Sequence, residues 1–269
     1  MKKDVYNILL LSDLSESGEA ALKSTVAMAK IIKADIHLFF VQKPIDIIEK
    51  ENQLSAQRTI NETHFTTKKE IENFIAPYIK NYGVVIDYSF SYGNVKNEIK
   101  ETIQNQNPDI IILGKRKSKL FSFVGDNLAS FVLKTYNGPV VIASGTYGLE
   151  PDVAISLGAL NSSLETTRNS EFIEALVKNS KRPLKLFRVS QPSTTSGAVN
   201  SLDEKETVEF VFEKGSNTLD SLNKYLSINK INLLYIDRGQ GNKNLRTINK
   251  GIKSVINKMD ISLLVSSYQ

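Results

Sequence analysis

The chain has 269 residues, more than the common size of one domain, so two domains with a core each are the first expectation. With 41% hydrophobic and 23% charged residues, 14 Gly and 7 Pro, the composition excludes a fibrous or disordered chain. The formal charge of +5 is spread over both halves (+2 in residues 1–149, +3 in 150–269), which argues against a dedicated nucleic-acid surface.

Targeting signals are not predicted. The first apolar run is ended at once by Ser12 and Asp13, and no window approaches the roughly 18 apolar residues of a membrane span. The absence of cysteine excludes disulfides, thiolate metal ligands and Cys nucleophiles, and it fits a reducing compartment. We therefore expect a cytoplasmic protein with no membrane partner.

In the first half, short apolar runs alternate with amphipathic segments. Ser15 is a predicted N-cap for the helix after the first strand, Gly93 and Asn94 begin a later helix, and residues 126–136 form the last helix. The predicted strands are 7–12, 35–42, 84–90, 109–113 and 139–144. Such alternation requires parallel pairing through right-handed crossovers, which predicts a doubly wound α/β fold.

The second half repeats this pattern. A turn-rich joint at 145–151 divides the chain into predicted domains at residues 1–147 and 148–269. A shift of 123 residues places Ile99 on Leu222 and Ile110 on Leu233, so the same helix-then-strand unit occurs twice. The predicted strands are 152–157, 184–189, 207–212, 231–236 and 261–266.

The connection between the second and third strands differs between the halves. It has 42 residues (42–83) in the first half and 17 (190–206) in the second, where Pro, Gly and Ser/Thr disfavour a helix. We therefore expect the second domain to lack one covering helix.

Three stretches of the first half carry a family resemblance: ILLLSDLSESGEAALKSTVAMAK, GNVKNEIKETIQNQNPDIIILGKR and NGPVVIAS. They resemble the universal stress protein family, and the likeness extends over almost the whole chain as two tandem copies, the second much fainter. The resemblance implies two Rossmann-like, adenine nucleotide alpha hydrolase-like domains with five parallel strands each, the second degenerate. Single domains of the family dimerise through their last strands, which implies that residues 139–144 and 261–266 pair within the chain as a pseudo-dimer. Further homo-oligomerisation stays open.

The resemblance also implies a candidate nucleotide site. In nucleotide-binding members, adenosine lies beside an Asp at the end of strand one and the backbone at the end of strand two. Their phosphates lie on a loop of the pattern Gly, two residues, Gly, nine residues, Gly, then Ser or Thr. Carried over to this sequence, the candidate residues are Ser12, Asp13, Val41, Gly114, Lys115, Arg116, Gly125 and Asp126.

The phosphate loop departs from the family pattern in three ways. Lys117 replaces the second glycine, and Gly114 and Gly125 are 11 positions apart where the pattern needs 13. Asp126 replaces a hydroxyl, and as an N-cap its carboxylate would occupy the helix N–H groups that otherwise hold an anion. We therefore expect no bound cofactor, with ATP or AMP in the first domain as the alternative.

The basic run from Lys115 to Lys119 has several interpretations. Its cations could hold phosphate by charge, could meet an acidic protein partner, or could form a solvated loop. Without interleaved aromatic residues, the run does not predict nucleic-acid binding. In the second copy, Asp237 aligns with Gly114 and a position at about Gly158 matches Asp13, so this half is expected to be a structural partner only.

Other catalytic chemistry is not indicated. His37 and His64 stand apart from other metal ligands, and no GxSxG motif accompanies Ser12. Asp13 fits a turn as well as it fits a nucleotide contact. We expect a non-catalytic stress-response binding or regulatory protein. The alternatives are an ATP-binding regulator with slow hydrolysis, and recognition of a different small ligand in the same crevice.

Overall fold

The computed structural model describes residues 5–42, 53–115, 125–161, 171–190, 207–238 and 245–266, with the backbone alone at 53–60, 125–127, 190 and 245–250. In the first half, strands and helices alternate: β1 (Tyr6–Ser12), α1 (Glu16–Ile32), β2 (Ala34–Gln42), α2 (Gln53–Tyr82), β3 (Ile86–Tyr92), α3 (Val95–Gln106), β4 (Ile110–Gly114), α4 (Gly125–Thr135) and β5 (Val140–Ala143). The second half follows with β6 (Leu157–Leu160), α5 (Glu171–Lys178), β7 (Leu184–Ser190), β8 (Thr207–Glu213), α6 (Thr218–Ile228), β9 (Leu233–Asp237), α7 (Leu245–Lys258) and β10 (Ser262–Ser266).

The described strands form one sheet in the order β3-β2-β1-β4-β5-β10-β9-β6-β7-β8. Neighbours within each half are parallel, which confirms the predicted doubly wound class. The two halves meet at β5 and β10, which pair antiparallel with Val141 opposite Leu264. The two five-stranded sheets are therefore joined edge to edge.

Helices cover both faces of this sheet. Residues of α1, α2 and α5 pack on one face, and those of α3, α4, α6 and α7 pack on the other. Successive residues of the central strands are therefore buried alternately in the two clusters; Leu9 and Leu10 are both 0% exposed. Burial on both faces explains why these strands are continuous apolar runs in the sequence.

The 123-residue repeat is exact in β4 and β9. The predicted match of Asp13 with a position near Gly158 is wrong. Gly158 pairs with Leu234 as Leu9 pairs with Ile111, so Gly158 is the equivalent of Leu9 and not of Asp13. The equivalent of Ser12 is Asn161.

The first strand of the second half also lies later than predicted. It covers Leu157–Leu160 instead of 152–157, because Asp152 adopts a left-handed turn (φ 64°) and Val153 is exposed. Gly158 weakens the strand signal in the sequence. In the structure this glycine makes room for an aromatic ring, since a Cβ there would lie 2.6 Å from Phe187.

Two helix starts were predicted from capping residues. Asn94 caps α3 as expected, because its side chain accepts hydrogen bonds from the backbone N–H groups of Lys96 and Asn97. Ser15 is the N-cap residue of α1 as predicted, with extended backbone and a carbonyl that accepts from Glu19 N, but its side chain makes no capping hydrogen bond. Its hydroxyl donates instead to Asp13 Oδ1 at 2.6 Å.

The expected loss of a covering helix falls on residues 191–206, which lie outside the described residues. The neighbouring strands differ in chemistry between the halves. Arg188 and Glu209 form an ion pair (2.8 Å) where the first half has Phe40 and Tyr88 packed against the core. At this point of the face that α2 covers in the first half, the second half therefore carries an ion pair, while Leu184 and Leu186 on the same face of β7 remain part of the apolar core.

Candidate functional site

A cavity of about 390 Å³ opens at the carboxyl ends of β1, β2 and β4, between α3 and α4. Its walls are apolar, formed mainly by Leu11, Phe39, Val41, Ile99, Leu113 and Leu128. Ligands of open α/β sheets bind at this edge, and the volume lies in the range of small-molecule sites. Four of the predicted site residues line the cavity together: Ser12, Asp13, Val41 and Gly114.

The turn between β1 and α1 fixes Asp13 at the edge of the cavity. Ser12 Oγ accepts a hydrogen bond from Leu14 N (3.1 Å), and Asp13 Oδ1 accepts one from Ser15 N (3.2 Å). Leu14 adopts a left-handed conformation (φ 57°) to make this turn. Asp13 therefore has the turn role that the sequence allowed, and it also borders the cavity.

Two glycines let α1 approach the cavity. Any Cβ on Gly114 would overlap the carbonyl group of Ser17, and a Cβ on Gly18 would lie 2.5 Å from Ser12 Oγ. Sequence reasoning missed Gly18 and Ser17, both of which line the cavity. The available signal was a glycine in the first turn of an otherwise well-formed helix.

Lys96 is a third cavity residue that sequence reasoning missed. It lies in the first turn of α3, and its ammonium group is 5.8 Å from the ring centre of Phe131 on α4. Within the described residues, Lys96 and Asp13 are the two charged side chains of the cavity lining. The ammonium group of Lys96 is therefore held over an aromatic face at the edge of the cavity.

Lys115 lies outside this cavity. Its ammonium group donates to the carbonyl oxygens of Asn257 (3.3 Å) and Met259 (2.6 Å) in the second half. Its backbone N–H donates to Ala143 O at 2.7 Å. The side chain borders a second cavity, of about 750 Å³, on the α1 side of the sheet edge.

The structure describes only part of the remaining predicted phosphate loop. Arg116, Lys117 and Lys119 lie outside the described residues, as does the side chain of Asp126. Helix α4 begins at Gly125, so Asp126 lies inside its first turn and is not the N-cap that the sequence suggested. A carboxylate in the first turn still interacts favourably with the helix dipole.

The second half carries aromatic side chains on the corresponding strands. Ser89 pairs with Phe39 on β2, and the equivalent Phe210 pairs with Phe187 on β7. Phe210 and Phe212 occupy the positions of Ser89 and Ser91, and their rings surround Tyr225 at centroid distances of 4.8 and 6.2 Å. Where the first half has small hydroxyls beside the cavity, the second half has an aromatic cluster: Phe187, Phe210, Phe212 and Tyr225.

His37 lies on β2, away from the cavity lining. Its Nε2 atom is 2.7 Å from Ser89 Oγ. Burial lowers the pKa of His37, and the nearby carboxylate of Asp87 partly opposes this effect. Among the described residues, no group of three or more His, Cys, Asp or Glu side chains is arranged to hold a metal ion.

None of the described helices is both long enough and apolar enough to cross a membrane. A comparison with curated proteins gave no match. Among solved structures, a universal stress protein from Archaeoglobus fulgidus DSM 4304 is similar over 97% of this chain and 96% of its own, with a TM-score of 0.64 and 18% identity. A protein of unknown function from Pseudomonas aeruginosa PAO1 is similar over 98% of this chain and 93% of its own, with a TM-score of 0.56 and 12% identity.

These likenesses show the fold over both halves. A universal stress protein from Arabidopsis thaliana, solved with AMP bound, is similar over 50% of this chain and 88% of its own, with a TM-score of 0.36 and 17% identity. A comparison with protein families matches residues 6–144 to the universal stress protein family. This match spans more than half of the sequence and includes the whole cavity in the first half, so the chain belongs to the universal stress protein family.

Proposed function

We propose that this universal stress protein is a non-catalytic stress-response binding protein, in which the first half holds a small ligand and the second half is its structural partner. The observation that carries the proposal is the asymmetry between the halves. The cavity of about 390 Å³ lies in the first half, and the corresponding strands of the second half carry the aromatic cluster.

We also propose that the chain works as an intrachain pseudo-dimer. The pairing of β5 with β10 supports this, since Val140, Val141 and Ile142 face Val265, Leu264 and Leu263 and all six are buried. Pairing of this kind covers an edge that each sheet would otherwise expose.

The chemistry of the cavity lining supports a binding role. Its charged side chains within the described residues are Asp13 and Lys96, and the lining contains no histidine. Asp13 Oδ1 is already held by the hydroxyl of Ser15. Within the described lining, the contact from Ser17 Oγ to Asp13 Oδ1 is 3.5 Å long, beyond the roughly 2.6–3.2 Å reach of a nucleophile paired with a general base.

An ATP- or AMP-binding regulator is the second candidate, and it uses the same cavity. Asp13, Val41 and Gly114 favour it, because they meet at one sheet edge as the family resemblance implies. The loop sequence argues against it, since Lys117 stands where the pattern needs a bare backbone and the loop is two residues short.

The test begins with the small molecules that freshly purified protein carries. Denatured protein is chromatographed for adenine absorbance, and thermal unfolding is recorded with and without AMP and ATP. Val95→Trp, at the half-buried mouth of the cavity, is expected to block a ligand, and Val85→Trp, at a residue 77% exposed, is the control.

The outcomes separate the two candidates. Release of a ligand without adenine, lost in Val95→Trp, supports the proposal. Stoichiometric AMP or ATP that is lost in Val95→Trp establishes the nucleotide-binding candidate instead. ATP turnover that Asp13→Asn abolishes would show that the protein is an enzyme.

A further inference from the structure

Lys115 and Arg238 occupy equivalent positions in the two halves, 123 residues apart. Lys115 directly follows β4, and Arg238 directly follows β9. Their backbone N–H groups make equivalent bonds, to Ala143 O at 2.7 Å and Ser266 O at 2.8 Å. Sequence reasoning treated Lys115 as part of a basic loop and did not assign Arg238 a role.

The guanidinium group of Arg238 reaches into the first half. It donates to the carbonyl oxygens of Leu133 (2.8 Å), Tyr136 (3.0 Å) and Gly138 (2.7 Å), which lie at the carboxyl end of α4. These carbonyls include ones left without a partner where a helix ends, and a cation there also complements the helix dipole.

Lys115 makes the same contact in the opposite direction. Its ammonium group donates to Asn257 O and Met259 O at the carboxyl end of α7. Met259 is the 123-residue equivalent of Tyr136, so the bonds from Lys115 to Met259 and from Arg238 to Tyr136 are equivalent. Each half therefore holds the end of the other's last helix.

We infer that Arg238 is a positioning residue for the cavity of the first half. Helix α4 supplies Leu128 to the cavity wall, and β4 supplies Leu113 and Gly114. Arg238 fixes the far end of α4 from the second half, and Lys115 ties the end of β4 to α7. The second half thus holds the β4–α4 side of a cavity whose lining comes from the first half. This inference rests on the proposed function, which makes that cavity the ligand site.

The experiment uses the full chain and compares Arg238→Met with Arg238→Lys. Amide hydrogen exchange is followed at residues 132–136, at the carboxyl end of α4, and the methyl NMR signals of Leu113 and Leu128 report on the cavity wall. Arg238→Met is expected to speed exchange in the last turn of α4 at least about tenfold and to shift both methyl signals. Arg238→Lys is expected to keep the wild-type exchange rate in α4 and the wild-type methyl signals, because the lysine at the equivalent position 115 already reaches the matching carbonyls.

Arg188→Met is the matched control, because Arg188 is an exposed arginine in a surface ion pair on β7. It should leave α4 exchange and the Leu128 methyl signal unchanged. If Arg238→Met leaves them unchanged too, or if Arg238→Lys keeps neither, the inference is overturned. Should Arg238→Met fail to fold, Lys115→Met gives the reciprocal test. It should speed exchange at residues 255–259 and shift the Leu113 methyl signal, and an unchanged pattern there overturns the inference.

These readouts do not depend on a bound ligand, so they stay separate from the test of the proposed function. Thermal unfolding with AMP is recorded on the same variants as a second arm. If the wild-type chain binds AMP, Arg238→Met is expected to weaken binding more than Arg188→Met does. If neither AMP nor another ligand binds, the proposed function fails while the exchange data still decide the positioning role.

Discussion

Gly114 lies so close to the carbonyl oxygen of Ser17 that any Cβ at residue 114 would overlap that oxygen. In the family pattern this glycine brings the backbone to a phosphate. Here it is also required by the packing of α1 on the end of β4. Its presence therefore supports the fold whether or not a phosphate binds.

The first prediction concerns the stability of this contact. Gly114→Ala is expected to lower the free energy of unfolding by about 3 kcal/mol, because backbone atoms must move to admit a methyl group. Urea unfolding measures the loss. Gly251→Ala is the control: this glycine lies in α7 with no atom near its missing Cβ, so alanine should stabilise the chain by about 0.5 to 1 kcal/mol. Similar effects of the two substitutions would contradict the packing argument.

The second prediction concerns the dependence of stability on pH. Burial lowers the pKa of His37 in the folded state below its ordinary value of 6.5, so the unfolded chain binds the proton more tightly. The contribution of His37 is therefore fully present above pH 6.5 and is lost as the pH falls through the lowered pKa. Urea unfolding at about pH 7.5 and about pH 5 should show a smaller pH effect in His37→Asn than in the wild-type chain.

The matched control for His37 is His64→Asn, at an exposed residue on α2 whose ring lies 4.8 Å from that of Phe90. This variant should keep the pH step assigned to His37. An equal reduction of the pH effect in both variants would show that the step does not come from burial of His37.

The third prediction concerns the aromatic cluster of the second half. Phe210→Ser, which introduces the residue found at the equivalent position of the first half, should cost about 2 to 3 kcal/mol of unfolding free energy. The loss arises from ring contacts with Phe187 and Tyr225, at centroid distances of 5.7 and 4.8 Å. Val211→Ser, at the next residue and 62% exposed, should change the stability by about 0.5 kcal/mol or less. Equal losses in urea unfolding would refute the cluster's structural role.

The fourth prediction concerns nucleotide affinity. If ATP binds the first half, Asp126→Ser should tighten binding about fivefold, because it removes a carboxylate from the first turn of α4. Isothermal titration with ATP measures the change, and Asp152→Ser, at the turn before β6, is the control. Unchanged or weaker ATP binding would refute the idea that this carboxylate competes with phosphate.

Most strands could be located from the sequence because burial on both faces produces continuous apolar runs, as in β1 and β4. β6 was misplaced because its interior contains Gly158, which lowers the local strand signal. The reason for that glycine is the ring of Phe187 on the neighbouring strand, a contact that depends on sheet register.

The candidate site was predicted only in part. The resemblance selected Ser12, Asp13, Val41 and Gly114, and these residues line one cavity. Lys96 was missed because a lysine in a polar helical turn does not reveal which side chain it faces across the fold. Arg238 was missed because its three carbonyl partners lie at least 100 residues earlier in the chain.

The amino-acid sequence by itself determined the order of strands and helices, their parallel pairing within each half and the internal repeat, because these follow from local periodicity and short connections. Tertiary structure decided what equivalent positions do. Lys115 and Arg238 became reciprocal links between the halves, and the position of Ser91 in the first half is taken in the second by Phe212, which packs on Phe187 and Tyr225. The reciprocal links depend on which groups the joined sheet brings together across 100 residues or more, and the aromatic contacts depend on strand register; neither can be read from local sequence.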